Sequence, residues 1–440
     1  MPAVIELDAP VAPRSGRRPR GAWVPSWLVV ALVVVGVVAL TGGGEGRRSL
    51  EPVFAAEFTL APSLSFDGGV PGVLSTGHTL FVARISESLE VVIQAYRPVD
   101  GALLWSKGFG SRADLAYADD RSVVLFVGEW GTPDAAIVGL DAATGAIRWR
   151  RGGLNGTVVA AGVVLGESWS RPVRSDENPG RVARRVTAVS IVDGAVRWSG
   201  ELPDGAFFEY RRNLGQSGTV TLVEIYPDGL VRERALASGI VVREVRAEVP
   251  GPPMDAMMFD DVAVLLSGEV GDRVASTVDL ANGRLLWRRA GAVEGLVACG
   301  DVLCRTGDDR SVEVLDRRTG ATLWRASGLS YMGDDRAHLL LGERPGEPTT
   351  VVEPRTGRVV RQLGRWQVVG WQVVGSRNGM LVRGVGRPAS FVYGWLDVDS
   401  GAVTVLGVER RSLAAPYCEA GARYLVCAGG ARLFAWTIDG

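Results

Sequence analysis

The sequence predicts an all-β chain, a closed ring of short four-stranded sheets carried behind one apolar helix. Three observations predict it. A polar residue followed by Gly recurs at near-regular intervals. Short runs rich in Val, Leu and Ile flank each recurrence. One uncharged segment, long enough to cross a bilayer, stands near the start.

The recurring pairs are Asp100-Gly101, Thr144-Gly145, Asp193-Gly194, Ser238-Gly239, Asn282-Gly283, Thr319-Gly320, Thr356-Gly357 and Ser400-Gly401, spaced by 44, 49, 45, 44, 37, 37 and 44 residues. A period of roughly 40–50 residues marks a repeat fold. Asp, Asn, Ser and Thr favour turns because their side chains bond the nearby backbone. Gly supplies the positive φ of a tight hairpin. The runs on either side, such as "AAIVGL" and "AIRW", read as two antiparallel strands. Two further short strands lie upstream of each turn, as in "NGTVVAAGVVLGES" and "GLVACGDVLCRTG". Four strands per unit make the blade of a β-propeller.

Trp stands four residues after Gly in five units, as Trp105, Trp149, Trp198, Trp287 and Trp324, and is replaced by Arg243, Arg361 and Val405 in the others. A Trp buries about 150–250 Å², enough to cover the join between two units from an outer strand. The chain ends on a third strand and its turn, "ARLFAWTIDG", and Val53–Leu60 precedes the first unit as a candidate for the missing fourth strand. Closing the ring with strands from both ends removes open sheet edges. Eight turns predict about eight blades, or nine with the shared blade counted separately.

No charged residue lies between Arg20 and Glu45. Within that span, about twenty apolar residues suffice to cross a hydrocarbon core of roughly 30 Å as a helix. Arg14, Arg17, Arg18 and Arg20 precede it, against Arg47 and Arg48 after it. That bias places the N-terminus in the cytoplasm and the rest outside. The rival is a cleaved signal peptide, but no Ala-x-Ala-like site follows the apolar run promptly. The expected organisation is a basic cytoplasmic tail (1–21), a transmembrane helix (22–41), a linker (42–50) and the propeller (51–440).

Cysteine placement bears on the same topology. Cys299 and Cys304 flank "GDVL", and Cys418 and Cys427 flank "EAGARYLV". Both intervening stretches have an even number of residues, so in a regular hairpin each pair sits directly opposite across two strands. That spacing is near what a disulfide needs. Two local pairs suit disulfides on the extracytoplasmic side, with buried free thiols as the alternative.

Chemistry is sparse. The 440 residues carry a formal net charge of −1, which gives no general electrostatic case for nucleic acid. Lys107 is the only lysine, so there is no P-loop, and neither HExxH nor GxSxG occurs. His78 and His338 read as structural, and neither adjoins a cysteine pair to bind zinc. Asp397 to Gly401, "DVDSG", has carboxylates at alternate positions but coincides with a repeat turn. The tandem "WQVVGWQVVG", Trp366 to Gly375, reads as a duplication spanning two strands.

Loops carry more information. Pro-containing insertions fall between the second and third strands of several units, and equivalent loops leave a propeller on one face. The longest, Ser170 to Arg185, holds Arg171, Arg174, Asp176, Glu177, Arg181, Arg184 and Arg185 and is the candidate binding loop.

"LDAATGAIRW", "VDLANGRLLW" and "LDRRTGATLW" resemble the PQQ-like β-propeller repeat. The family includes quinoprotein dehydrogenases and the outer-membrane assembly propeller lipoprotein. The resemblance runs from about residue 51 to 440, and implies eight blades and a docking role for the five tryptophans. The enzyme branch binds its quinone against a disulfide between adjacent cysteines and holds calcium, and this chain has no adjacent cysteine pair. The non-enzymatic branch is the closer match. The expectation is therefore a single-pass membrane protein of the bacterial envelope. Its extracytoplasmic propeller would serve, without catalysis, cofactor or metal, as a platform for a protein or polymer. A quinone-dependent oxidoreductase, or a secreted ligand-sensing propeller, is the alternative.

Overall fold

The computed structural model describes residues 54–57 and 72–437, apart from short internal segments of which 170–181, 213–219, 343–348 and 410–416 are the longest. The described residues form nine four-stranded antiparallel sheets, each with its strands hydrogen-bonded in sequence order. Blade 1 spans 73–108, blade 2 113–152, blade 3 155–202, blade 4 207–246, blade 5 253–290, blade 6 296–327, blade 7 330–362 and blade 8 366–409. Blade 9 takes three strands from 417–437 and its fourth from Phe54–Glu57, which pairs antiparallel with Arg432–Thr437.

Successive blades share cores. Phe81, Ile93 and Trp105 of blade 1 pack with Val123, Leu125 and Val138 of blade 2. Comparable clusters join each later pair up to blades 7 and 8. Tyr417–Ala420 of blade 9 lies against Trp366–Val373 on one side and Val73–Ser75 on the other, so the first and last blades meet. This all-β arrangement is that of a β-propeller, with nine blades where the resemblance implied eight.

Burial follows the radius. Second strands are mostly apolar and buried, as in Val262–Ser267, because sheets cover both of their faces. Fourth strands are largely exposed, as in Ile147–Gly152.

The inter-strand turns show why Gly recurs. Gly101, Gly145, Gly194, Gly239, Gly283, Gly320 and Gly357 all have φ between 66° and 75°. In blade 2, Gly145 N–H donates to the Asp141 carbonyl (2.9 Å). Asp141 Oδ1 accepts from the backbone N–H groups of Ala143 and Thr144 and from the Thr144 hydroxyl. That Thr144 hydrogen bond is the main reason the Asp141 carboxyl sits below its ordinary range.

Each described repeat Trp leaves its fourth strand for the next blade. The indole N–H of Trp105, Trp149, Trp198, Trp287 and Trp324 donates to the carbonyl of Ala142, Ile191, Leu236, Arg317 and Pro354, at 2.7–3.1 Å. Every acceptor is the second residue of the next turn. The ring also lies on that turn's glycine: a Cβ on Gly145, Gly194, Gly320 or Gly357 would stand 2.7 Å from it. Opposite the Trp on the third strand stands Ala95, Gly139 or Ala188 in blades 1 to 3, and Thr277 and Val314 stand opposite Trp287 and Trp324.

No helix among the described residues is long and apolar enough to cross a membrane, and the segment 22–41 lies outside them. The duplication "WQVVGWQVVG" does not span two strands. Trp366–Val373 is one strand, with its register broken between Val368 and Val373.

Candidate functional site

Loops joining second to third strands, and links from one blade to the next, emerge on one face. On blades 2 and 3 that face carries an aromatic pair. Trp130 sits in the loop 128–135 and is 46 % exposed. Trp169 ends the second strand of blade 3, Val163–Trp169. Their rings meet edge-on, with centroids 4.7 Å apart and planes at 75°.

The Trp130 loop is held from below. Gly131 N–H donates to Asn155 Oδ1 (2.8 Å), and Asn155 is buried at the start of blade 3. Thr132 donates to the Glu129 carbonyl (2.7 Å), closing the loop on itself. A large exposed aromatic on a pinned loop has little entropy left to lose on binding.

Beneath this surface lies a polar layer. Glu167 and Arg184 form a buried ion pair. Arg184 also donates to the Ala206 carbonyl (3.1 Å) and lies over the Phe208 ring. Burial pushes the Glu167 carboxyl up, and Arg184 pulls against it. On the inner strands, Tyr210 donates to Thr157 Oγ1 (2.8 Å), and burial raises its phenol pKa. Glu209 is pushed up to about 7, first by burial and then by the charge of Asp255 on the inner strand of blade 5.

The predicted binding loop is divided by the structure. Arg171, Arg174, Asp176, Glu177 and Arg181 lie outside the described residues. Arg184 and Arg185 belong not to the loop but to the third strand, Arg184–Ser190. Arg184 is consumed by the buried pair and cannot meet a partner. Arg185 is exposed and pairs with Glu201 (2.6 Å).

The cysteines also differ from the simple hairpin reading. The turn between Leu296–Cys299 and Val302–Thr306 has two residues, so Cys304 stands opposite Val297 rather than Cys299. The two cysteines are diagonal on one face, buried, with Cα atoms 5.9 Å apart and sulfurs within disulfide distance. Cys418 is directly opposite Cys427 in the backbone register of blade 9. His78 lies in a turn where its N–H meets Thr76 Oγ1 (3.2 Å). Among the described residues no three His, Cys, Asp or Glu side chains converge to hold a metal ion. Residues 398–401 of the "DVDSG" turn lie outside the described residues.

Sequence reasoning singled out neither Trp130 nor Trp169. The available signal was a Trp in or beside a loop, away from the repeat position.

The geometry defines a β-propeller with an aromatic patch on its loop face. In particular, residues 34–222 match the family model described as outer membrane protein assembly factor BamB. The match covers blades 1 to 3 and part of blade 4. Among solved structures, the chain is similar to BamB from Moraxella catarrhalis, at 14% identity over 88% of this chain and 100% of that one, with TM-score 0.40. It is similar to the computationally designed Ika8 protein, at 13% identity over 83% and 95%, with TM-score 0.42. It is also similar to a europium-containing methanol dehydrogenase, at 12% identity over 76% and 84%, with TM-score 0.41. At these values neither partner nor activity passes from them to this chain. No curated protein matches it.

Proposed function

We propose that this chain is a non-catalytic binding platform of the bacterial envelope, tethered by segment 22–41 with its propeller outside the cytoplasm. Its partner is a protein or polymer that docks on the loop face of blades 2 and 3. The observation that carries this reading is the exposed Trp130 packed on Trp169, on a loop pinned by Asn155. Exposed tryptophans are common anchors of interfaces. Support comes from the match of residues 34–222 to a family model named for outer membrane protein assembly.

The test is crosslinking in intact cells, followed by purification of the full-length chain, wild type against Trp130→Ala. A specific adduct in the wild type, lost in the variant at unchanged melting temperature, supports the reading. An identical set of adducts in both removes the patch from the interface. Protease accessibility in spheroplasts tests the topology separately: a propeller that stays protected overturns the outside placement.

A further inference from the structure

We infer that the turn-side edge of blades 1 to 4 is a lipid-contacting arc, set against the bilayer beside the point where the chain enters the propeller. The inference rests on the tether of the platform reading and uses the face opposite to the Trp130 patch.

Among the described residues, eight of the ten large apolar side chains that stand exposed lie on the polar-Gly turns of blades 1 to 4 or just after them. Four occupy the same place, two residues past the turn glycine. They are Leu103, Ile147, Val196 and Val241, between 41% and 52% exposed. Blade 4 adds Ile240 and Val242 on either side. The Trp docking bonds join these sites. Trp149, two residues past Ile147, donates to the Ile191 carbonyl beside the exposed Val192 of the next turn. Trp198, two residues past Val196, donates to Leu236 in the turn that leads to Ile240. The edge of one blade is thereby held against the turn of the next.

The fold does not require this. At the same place in blades 5 to 7, Leu285, Thr322 and Val359 are half-buried. The turns of blades 6 and 7 instead carry arginines bound to acids. Arg318 pairs with Asp261 and Asp279, and Arg355 with Asp301 and Asp316. One arc of the turn face is apolar, and the other is charged and paired within itself. Single exposed aliphatic residues are ordinary, but a run of them over four consecutive units marks a contact surface.

The occupant follows from where the chain comes in. Phe54–Glu57 is the fourth strand of blade 9, with Phe54 opposite Ala435 and Glu57 opposite Arg432. Its first residue therefore lies at the turn end of the sheet, where the other fourth strands also begin. Blade 9 adjoins blade 1, the first blade of the arc. Twelve residues, 42–53, separate this entry from the apolar segment 22–41. A chain of that length reaches at most about 40 Å. A bilayer holding 22–41 is thus close on the turn side, next to the arc. Aliphatic tips on a rigid edge gain by entering its interfacial region. A lipid surface also asks for no matching shape, which suits side chains spread along an arc rather than gathered in a pocket.

Photo-crosslinking tests this on the full chain in nanodiscs of phosphatidylethanolamine and phosphatidylglycerol, doped with a phosphatidylcholine that carries a diazirine on its acyl chain. Peptide mapping of the wild type then locates the lipid adducts. They are expected on 22–41 and on the peptides that hold Leu103, Ile147, Val196 and Val241, about fivefold or more above the equivalent turns of blades 5 to 7. Adducts on 22–41 with none on the arc overturn this inference and leave the tether standing, whether water, another segment or a second copy covers the arc. Equal yields on all turns overturn it too, because a tethered ring touching lipid at random would give that result. Adducts on the arc without any on 22–41 keep the lipid contact and remove the tether.

Discussion

The contact between Trp149 and Gly194 can be taken apart by a double-mutant cycle. Trp149 is buried, donates to the Ile191 carbonyl at 3.1 Å, and lies across both Gly139 and Gly194. Trp149→Ala removes this ring and should cost about 3–5 kcal/mol. Gly194→Ala meets two separate penalties. Its φ of 69° costs an L-residue about 1–2 kcal/mol. Its new Cβ would also stand 2.7 Å from the Trp149 ring, and that crowding costs a further ~1–3 kcal/mol. With Trp149 already truncated, only the backbone penalty remains, so the two changes should couple by about 1–3 kcal/mol. The assay is urea unfolding of the full chain in detergent, followed by far-UV circular dichroism, with transition midpoints compared at a common slope. Gly283 is the internal control. Its neighbour is the Arg246 backbone carbonyl, so no side-chain truncation can relieve Gly283→Ala. Equal costs for Gly194→Ala in both backgrounds would refute the docking argument.

The other expectations concern charge and covalent links. Glu209 has a folded pKa of about 7 against an ordinary 4.5. The proton therefore favours the folded state, and the stability it confers is present below pH 4.5 and lost as pH rises through 7. Glu209→Gln should be neutral near pH 4 and, allowing for solvent screening, stabilising by about 1–2 kcal/mol at pH 8 in thermal melts. A gain of equal size at both pH values would contradict this. Arg355 bridges Asp301 (2.9 Å) and Asp316 (2.6 Å) of the preceding blade while half exposed. Arg355→Ala should cost no more than ~1 kcal/mol, and the cost should fade in molar salt, as melts at two ionic strengths will show. Peptide mapping without reductant should find Cys299 linked to Cys304. Replacing both by Ala should cost about 2 kcal/mol, as expected for so short a loop, whereas free thiols throughout would remove the link.

The repeat was legible because its local causes lie within a dozen residues. A glycine at positive φ, an Asx or Thr bonding its own turn and a Trp at a fixed offset can all be read along the chain. The closing strand was legible too, since a blade with three strands needs a fourth. The register at Cys299 was not. The turn falls on Gly300 and Asp301, with Gly300 at a φ of 61°, and that choice moves Cys304 to the diagonal. Arg184 misled because it adjoins a long polar insertion. Its partner Glu167 lies on the neighbouring strand, beyond that insertion. The duplicated Trp366 segment misled for the opposite reason: a repeated string need not be a repeated element.

Departures from the repeat are more informative than the repeat itself, for a physical reason. Where a blade docks its neighbour through Trp and Gly, those residues satisfy a requirement of the fold and carry no functional message. Blade 4 replaces its Trp by Arg243, which pairs with the buried Glu233 at 3.6 Å, and blade 5's Gly283 packs on backbone instead. The junction still forms, so the fold tolerates a polar solution there at no cost in closure.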